Sequence, residues 1–125
     1  MLQIEVYLEG SGYAATQDFY LYPEDLEEFG HKLQAFPSSI SDEAILETGS
    51  TEASSYGWFK LRAFVYDGSG HTALELSVKR NGAPHISAQS QFSVLIEAAA
   101  LNSLGKSIER WASENDEPLK FNYDL

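Results

Sequence analysis

The residue types that carry catalysis or metal binding are few in this 125-residue chain, and they are thinly spread. There are three histidines, His31, His71 and His85, and no cysteine. Without thiols there are no disulfides, thiolate metal sites or cysteine nucleophile, which agrees with a reducing, cytoplasmic setting. Nucleophile, base and acid types stand close together at Asp67-Gly68-Ser69-Gly70-His71. Asp, Gly and Ser are what a tight turn demands, and no nucleophile elbow or set of oxyanion donors accompanies them. The segment therefore reads as a turn rather than a catalytic triad.

Metal and phosphate chemistry fare no better. His31 falls mid-helix among charged neighbours. His71 and His85 are expected on one strand face but roughly 20 Å apart by strand rise, too far to share an ion. No His-Glu-x-x-His run occurs, and neither Gly10-Ser11-Gly12 nor Gly68-Ser69-Gly70 opens a helix, so neither cradles a phosphate. No catalytic residue, metal site or cofactor is expected.

Charge carries more information. The chain holds 19 acids against 8 bases, a net charge of −11. Residues 1–59 contain 11 acids and one base, Lys32, giving −10, whereas the remainder has 8 acids and 7 bases, giving −1. A negative field concentrated in one half repels nucleic acid and anionic membrane and attracts a basic protein. The start, Met1-Leu2-Gln3-Ile4-Glu5, alternates and has no signal-peptide pattern, and no apolar run approaches the ~20 residues of a membrane span.

The hydrophobic periodicity supplies the elements that position these groups. Leu2, Ile4, Val6 and Leu8 alternate with polar residues, as do Ala15, Phe19 and Leu21 beyond a Gly-Ser-Gly turn, which predicts a hairpin. With Leu8 opposite Tyr13, the apolar faces agree except at Gln17. Pro23 suits a first helical position, and Leu26, Phe29, Leu33 and Phe36 form one apolar stripe that Pro37 ends. A short strand over Glu43–Thr48 follows, then a polar loop.

Tyr56–Tyr66 and His71–Arg80 predict a hairpin with Leu61 opposite Leu76 and Arg62 opposite Glu75. A three-residue Asn81-Gly82-Ala83 loop would pair Val78 with Ile86 and Leu76 with Ala88, continuing through Phe92, Val94 and Ile96. A second helix spans about Ala98 to Ser113, striped by Leu101, Leu104, Ile108 and Trp111. The tail from 114 to 125 is polar, with Phe121 and Tyr123 able to dock.

The two helices echo each other. Leu26-x-x-Phe29-Gly30-x-x-Leu33-x-x-Phe36 superposes without a gap on Leu101-x-x-Leu104-Gly105-x-x-Ile108-x-x-Trp111, and the match extends back to Phe19 with Val94 and Leu21 with Ile96. A mid-helix glycine costs about 1 kcal/mol relative to alanine. Close approach of another element is the expected compensation.

The stretch Phe59–His71, with Ala73-Leu74-Glu75-Leu76 and Ala100-Leu101-Asn102-Ser103-Leu104-Gly105, resembles small uncharacterised bacterial α+β proteins. The acidic α+β build is more loosely similar to immunity proteins of bacterial toxin systems. That likeness implies a non-enzymatic inhibitor of a basic protein and carries no functional residue with it.

The expected architecture is one α+β domain over residues 1–125, in the order β-β-α-β-β-β-β-α. It is an antiparallel sheet of about five to six strands with two helices packed on one face. The other face would then expose Glu5, Tyr7, Glu9, Asp18 and Tyr20 beside Trp58, Arg62, Phe64, Tyr66, His71 and Glu75. The leading function is an acidic protein-binding module, with Glu24, Glu27 and Glu28 steering a basic partner and Trp58 and Tyr66 as anchors. The alternatives are a homodimer through the open sheet face and a small-ligand site near the Asp67–His71 turn, with His71 as a binding residue.

Overall fold

The computed structural model describes residues 2–49, 57–114 and 118–121. The elements are β1 (Leu2–Gly10), β2 (Tyr13–Leu21), α1 (Pro23–Gln34), β3 (Glu43–Gly49), β4 (Gly57–Val65), β5 (Thr72–Arg80), β6 (Ala88–Leu95) and α2 (Ala98–Glu114). The expected order and α+β class hold. Tyr56 and Tyr123 lie outside the described residues.

The single sheet does not hold. β1 and β2 form a two-stranded antiparallel sheet of their own, and β3-β4-β5-β6 form a separate four-stranded one. The reason lies in what β2 touches. The Tyr20 carbonyl accepts a hydrogen bond from Thr48 Oγ1 of β3 at 2.8 Å, and the Phe19 ring stacks on Phe59 of β4 with centroids 4.0 Å apart. Gln17 Nε2 donates to the Lys79 carbonyl of β5, and the Tyr13 ring stacks 6.1 Å from Phe92 of β6. β2 therefore crosses all four strands in turn and meets them face-on through side chains. A strand that crosses cannot also extend the ladder, so the hairpin lies on the sheet as a second layer. Gln17, the one polar residue on the apolar hairpin face, satisfies its amide through that crossing.

Register follows the turns. The β1–β2 loop is the two-residue Ser11-Gly12, with φ of 55° and 83°, so Gly10 rather than Leu8 faces Tyr13. Two positive φ values make the tight hairpin turn whose twist suits the flanking strands. The shift from the expected pairing is two residues, an even number, so every side chain stays on its expected face. The β4–β5 pairing is as expected, with Leu61 opposite Leu76 and Arg62 opposite Glu75.

The β5–β6 connection is longer than expected. Residues 81–87 turn through hydrogen bonds from the Ile86 and Ser87 amides to the Ala83 carbonyl, and Val78 pairs with Ser90 and Leu76 with Phe92. Ile86 and His85 are consequently exposed in the loop rather than placed on the strand. Pro84 has no amide hydrogen to give a ladder, which suits this turn.

One core joins every layer. Ile4, Phe19 and Leu21 of the hairpin, Leu26, Phe29 and Leu33 of α1, and Leu101, Ile108 and Ala112 of α2 are buried with Phe59, Leu61, Leu74 and Leu76 of the sheet. The helices pack directly on each other at Gly30 and Gly105. Asn102 Nδ2 donates to the carbonyls of Leu33 at 2.7 Å and Phe36 at 2.9 Å, which ties α2 to the end of α1, where the Leu33 carbonyl also accepts from the Phe36 amide at 3.3 Å. Leu119 and Phe121 of the tail are half-buried against this core.

Candidate functional site

Four of the acids in the first half of the chain are gathered by the packing of α1 beside β3. Leu26, Phe29 and Leu33 face the core, which turns Asp25, Glu28 and Lys32 onto one flank of α1. On β3, Ala44 and Leu46 are buried, so the strand period puts Glu43, Ile45 and Glu47 on the opposite side. β3 is an edge strand of the four-stranded sheet. The two elements bound a groove of about 620 Å³ lined by Asp25, Glu28, Lys32, Glu43, Ile45 and Glu47, with Phe29 and Leu46 beneath.

The groove holds four carboxylates and one amine, and local bonds answer charge of both signs. Lys32 Nζ lies 3.6 Å from Asp42 Oδ1, so its charge is answered at one end. Asp42 also accepts from the Ser38 amide at 2.9 Å and the Ser38 hydroxyl at 3.1 Å. The Ser38 amide, above all, holds its carboxyl below the usual aspartate value, with the Ser38 hydroxyl and Lys32 adding to the effect. Glu43 pairs with Arg62 at 3.1 Å, and Glu47 accepts the Trp58 indole N–H at 2.7 Å. Asp25 and Glu28 form no ion pair among the described residues.

Of the residues singled out from the sequence, Glu28 lines this groove, while Glu24 and Glu27 are exposed on α1 outside it. Trp58 is half-buried and reaches the groove only through Glu47. Tyr66 lies at the other end of β4 from Trp58, about 26 Å away at ~3.3 Å per residue. They cannot anchor the same small contact.

Tyr66 and His71 do come together. Their rings stack with centroids 6.0 Å apart, and His71 Nδ1 sits 2.6 Å from Asp67 Oδ2. Asp67 Oδ1 accepts from the amides of Ser69 and His71 at 3.0 and 3.1 Å. The His71 ring foremost, then these amides, lowers the Asp67 carboxyl from its ordinary value. These bonds build a self-capped hairpin turn, and its side chains are exposed.

The three histidines do not converge. His31 is exposed and lies 3.2 Å from Glu109 of α2, and His85 sits in the 81–87 loop. No group of three or more His, Cys, Asp or Glu side chains arranged to hold a metal occurs among the described residues. No described helix is long and apolar enough to cross a membrane.

The face expected to present one open aromatic row is divided. Tyr7 and Tyr20 are exposed on the hairpin's outer surface, a different layer from Trp58 and Phe64. Phe64 is half-buried with the Arg62 guanidinium 4.2 Å above its ring, and Arg62 also meets Glu43 and Glu75. Charged side chains thus interleave with the aromatics there.

Asp25, Glu43 and Glu47 were not singled out by sequence reasoning as site residues. Their signal was present as Asp25-x-x-Glu28 and Glu43-x-Ile45-x-Glu47, two spacings that each place charges on one side of an element. What joins them is the contact between α1 and β3, which neither spacing contains. Comparison with protein-family models, curated proteins and solved structures finds no match to this two-layered α+β chain.

Proposed function

We propose that the chain is a non-enzymatic protein-binding module whose acidic α1–β3 groove engages a basic protein. The observation that carries this reading is the convergence of Asp25 and Glu28 with Glu43 and Glu47 along an edge strand, around the exposed Ile45. An edge strand presents main-chain donors and acceptors to an incoming segment, and carboxylates on both sides favour one that carries lysine or arginine. Opposite fields speed encounter, while an apolar contact at Ile45 slows release. Inhibition of a basic toxin, in the manner of immunity proteins, is one use of such a surface.

The test is affinity capture at low and high salt, comparing wild type with Asp25→Lys/Glu28→Lys and with a control of equal net charge, Glu109→Lys/Glu114→Lys on α2. The reading expects one basic protein to bind wild type and the α2 control alike, to bind the groove variant at least ten-fold more weakly, and to lose affinity with salt. Equal loss in both variants, or no basic partner at all, would sink it.

A further inference from the structure

A larger concavity lies behind Phe29 and Leu46, and its chemistry is the opposite. Its volume is about 790 Å³, and apolar side chains such as Leu74, Leu104, Ile108 and Phe121 make up much of its wall. β1 lines it with every residue from Gln3 to Gly10, not with alternate ones. A strand that offers only a face to a space contributes every second residue, so here it is the edge of β1 away from β2 that borders the cavity. The wall thus combines apolar side chains with a row of main-chain polar groups.

Sites for small molecules span about 300–1,000 Å³ and pair an apolar lining with a few polar groups that set orientation. The lining also lacks a cation. Among the described residues it contains no lysine, arginine or histidine; Glu5 and Glu9 belong to its β1 edge, but their side chains are exposed on the hairpin's outer face, where the Tyr7 hydroxyl donates to Glu9. A ligand carboxylate or phosphate would lose its water there with no lysine, arginine or histidine of the lining to meet it.

From this geometry we infer a binding site for a lipophilic small molecule that carries a hydroxyl, amide or ammonium head and no negative charge. The apolar body lies on the sheet and α2, and the head lies toward the main-chain edge of β1. This inference does not rest on the acidic α1–β3 groove, which is separated from the cavity by Phe29 and Leu46, residues that line both.

The chain has two tryptophans, and Trp111 lines the cavity whereas Trp58 does not. In Trp58→Phe, fluorescence therefore reports the cavity alone. Titration with 1-dodecanol, dodecyltrimethylammonium and dodecanoate, each below its micellar range, is the experiment. The neutral and cationic probes are expected to shift Trp111 emission saturably at one per chain, with dodecanoate at least ten-fold weaker. Leu104→Phe, or Val6→Phe on the opposite wall, fills the space and should weaken binding of both probes at least five-fold while the thermal midpoint holds or rises.

Absence of a saturable shift, dodecanoate binding as tightly as dodecanol, or indifference to both filling variants would overturn the site. A response to dodecyltrimethylammonium without one to dodecanol would reduce it to surface charge attraction. A concentration-dependent dimer that buries the β1 edge without any probe would assign the edge to a second copy of the chain.

Discussion

A Cβ placed on Gly105 would stand 2.6 Å from the carbonyl oxygen of Gly30, and one placed on Gly30 would stand 2.8 Å from the carbonyl oxygen of Gly105. The contact is reciprocal, and it falls at equivalent positions of two helices with the same stripe. At this crossing the backbones of α1 and α2 meet with no side chain between them. Each glycine is what lets the other helix come close enough for Asn102 to reach the last carbonyls of α1.

Alanine at either position should therefore destabilise the protein, against the usual trend for helix interiors. Alanine favours an isolated helix by about 1 kcal/mol over glycine. Forcing a methyl group against a carbonyl or amide of the facing helix costs about 1–3 kcal/mol, because backbone cannot rotate out of the way. Urea unfolding of Gly30→Ala and Gly105→Ala is expected to show net losses of up to about 2 kcal/mol with unchanged slope. A gain in stability from either variant would mean that the helices are not in backbone contact.

The docking of the hairpin on the four-stranded sheet depends on Phe19. Its ring is buried and stacks on Phe59, which is itself only 1% exposed. Phe19→Ala should cost about 3–5 kcal/mol, the range for emptying a buried aromatic site. A double-mutant cycle with Phe59→Leu should return a coupling of about 0.5–1.5 kcal/mol for the ring pair itself. Hydrogen exchange in Phe19→Ala is expected to accelerate first in β1 and β2 while β4 and β5 stay protected, because the hairpin shares no ladder with them. Uniform acceleration across all six strands would contradict the two-sheet arrangement.

Acid should loosen the β4–β5 turn in a defined direction. Hydrogen bonds from the His71 ring and from the His71 and Ser69 amides favour the ionised Asp67 and lower its pKa from the ordinary 3.8. A carboxyl with a lowered folded pKa contributes stability that is fully present above its unfolded value and is lost as pH falls through the folded one. Carboxyl-carbon NMR should find the Asp67 midpoint below 3.8, with Asp42 moving the same way because of Ser38. Asp67→Asn should remove the part of the acid-induced loss that Asp67 contributes. A midpoint at or above the ordinary value would show that the turn is not held by these bonds.

Local order was legible in the residues because it depends on neighbours along the chain. Alternation of Leu2, Ile4, Val6 and Leu8, the stripe from Leu26 to Leu33, and the pairing of Arg62 with Glu75 each follow from a helix or strand period, and each appears in the fold. The mid-helix glycines announced a close approach, and the concentration of acids before residue 60 announced a negative surface. Tertiary structure decided the rest. Alternation states that a strand has one apolar face but not whether that face joins a ladder or lies across one, so the separate hairpin layer was hidden. Loop length decided where Ile86 and His85 fell, since even shifts of register leave the hydrophobic pattern unchanged. The acidic groove and the apolar cavity are spaces between α1 and β3 and between β1 and α2. A space between elements distant in sequence comes into being only when the shared core sets their separation.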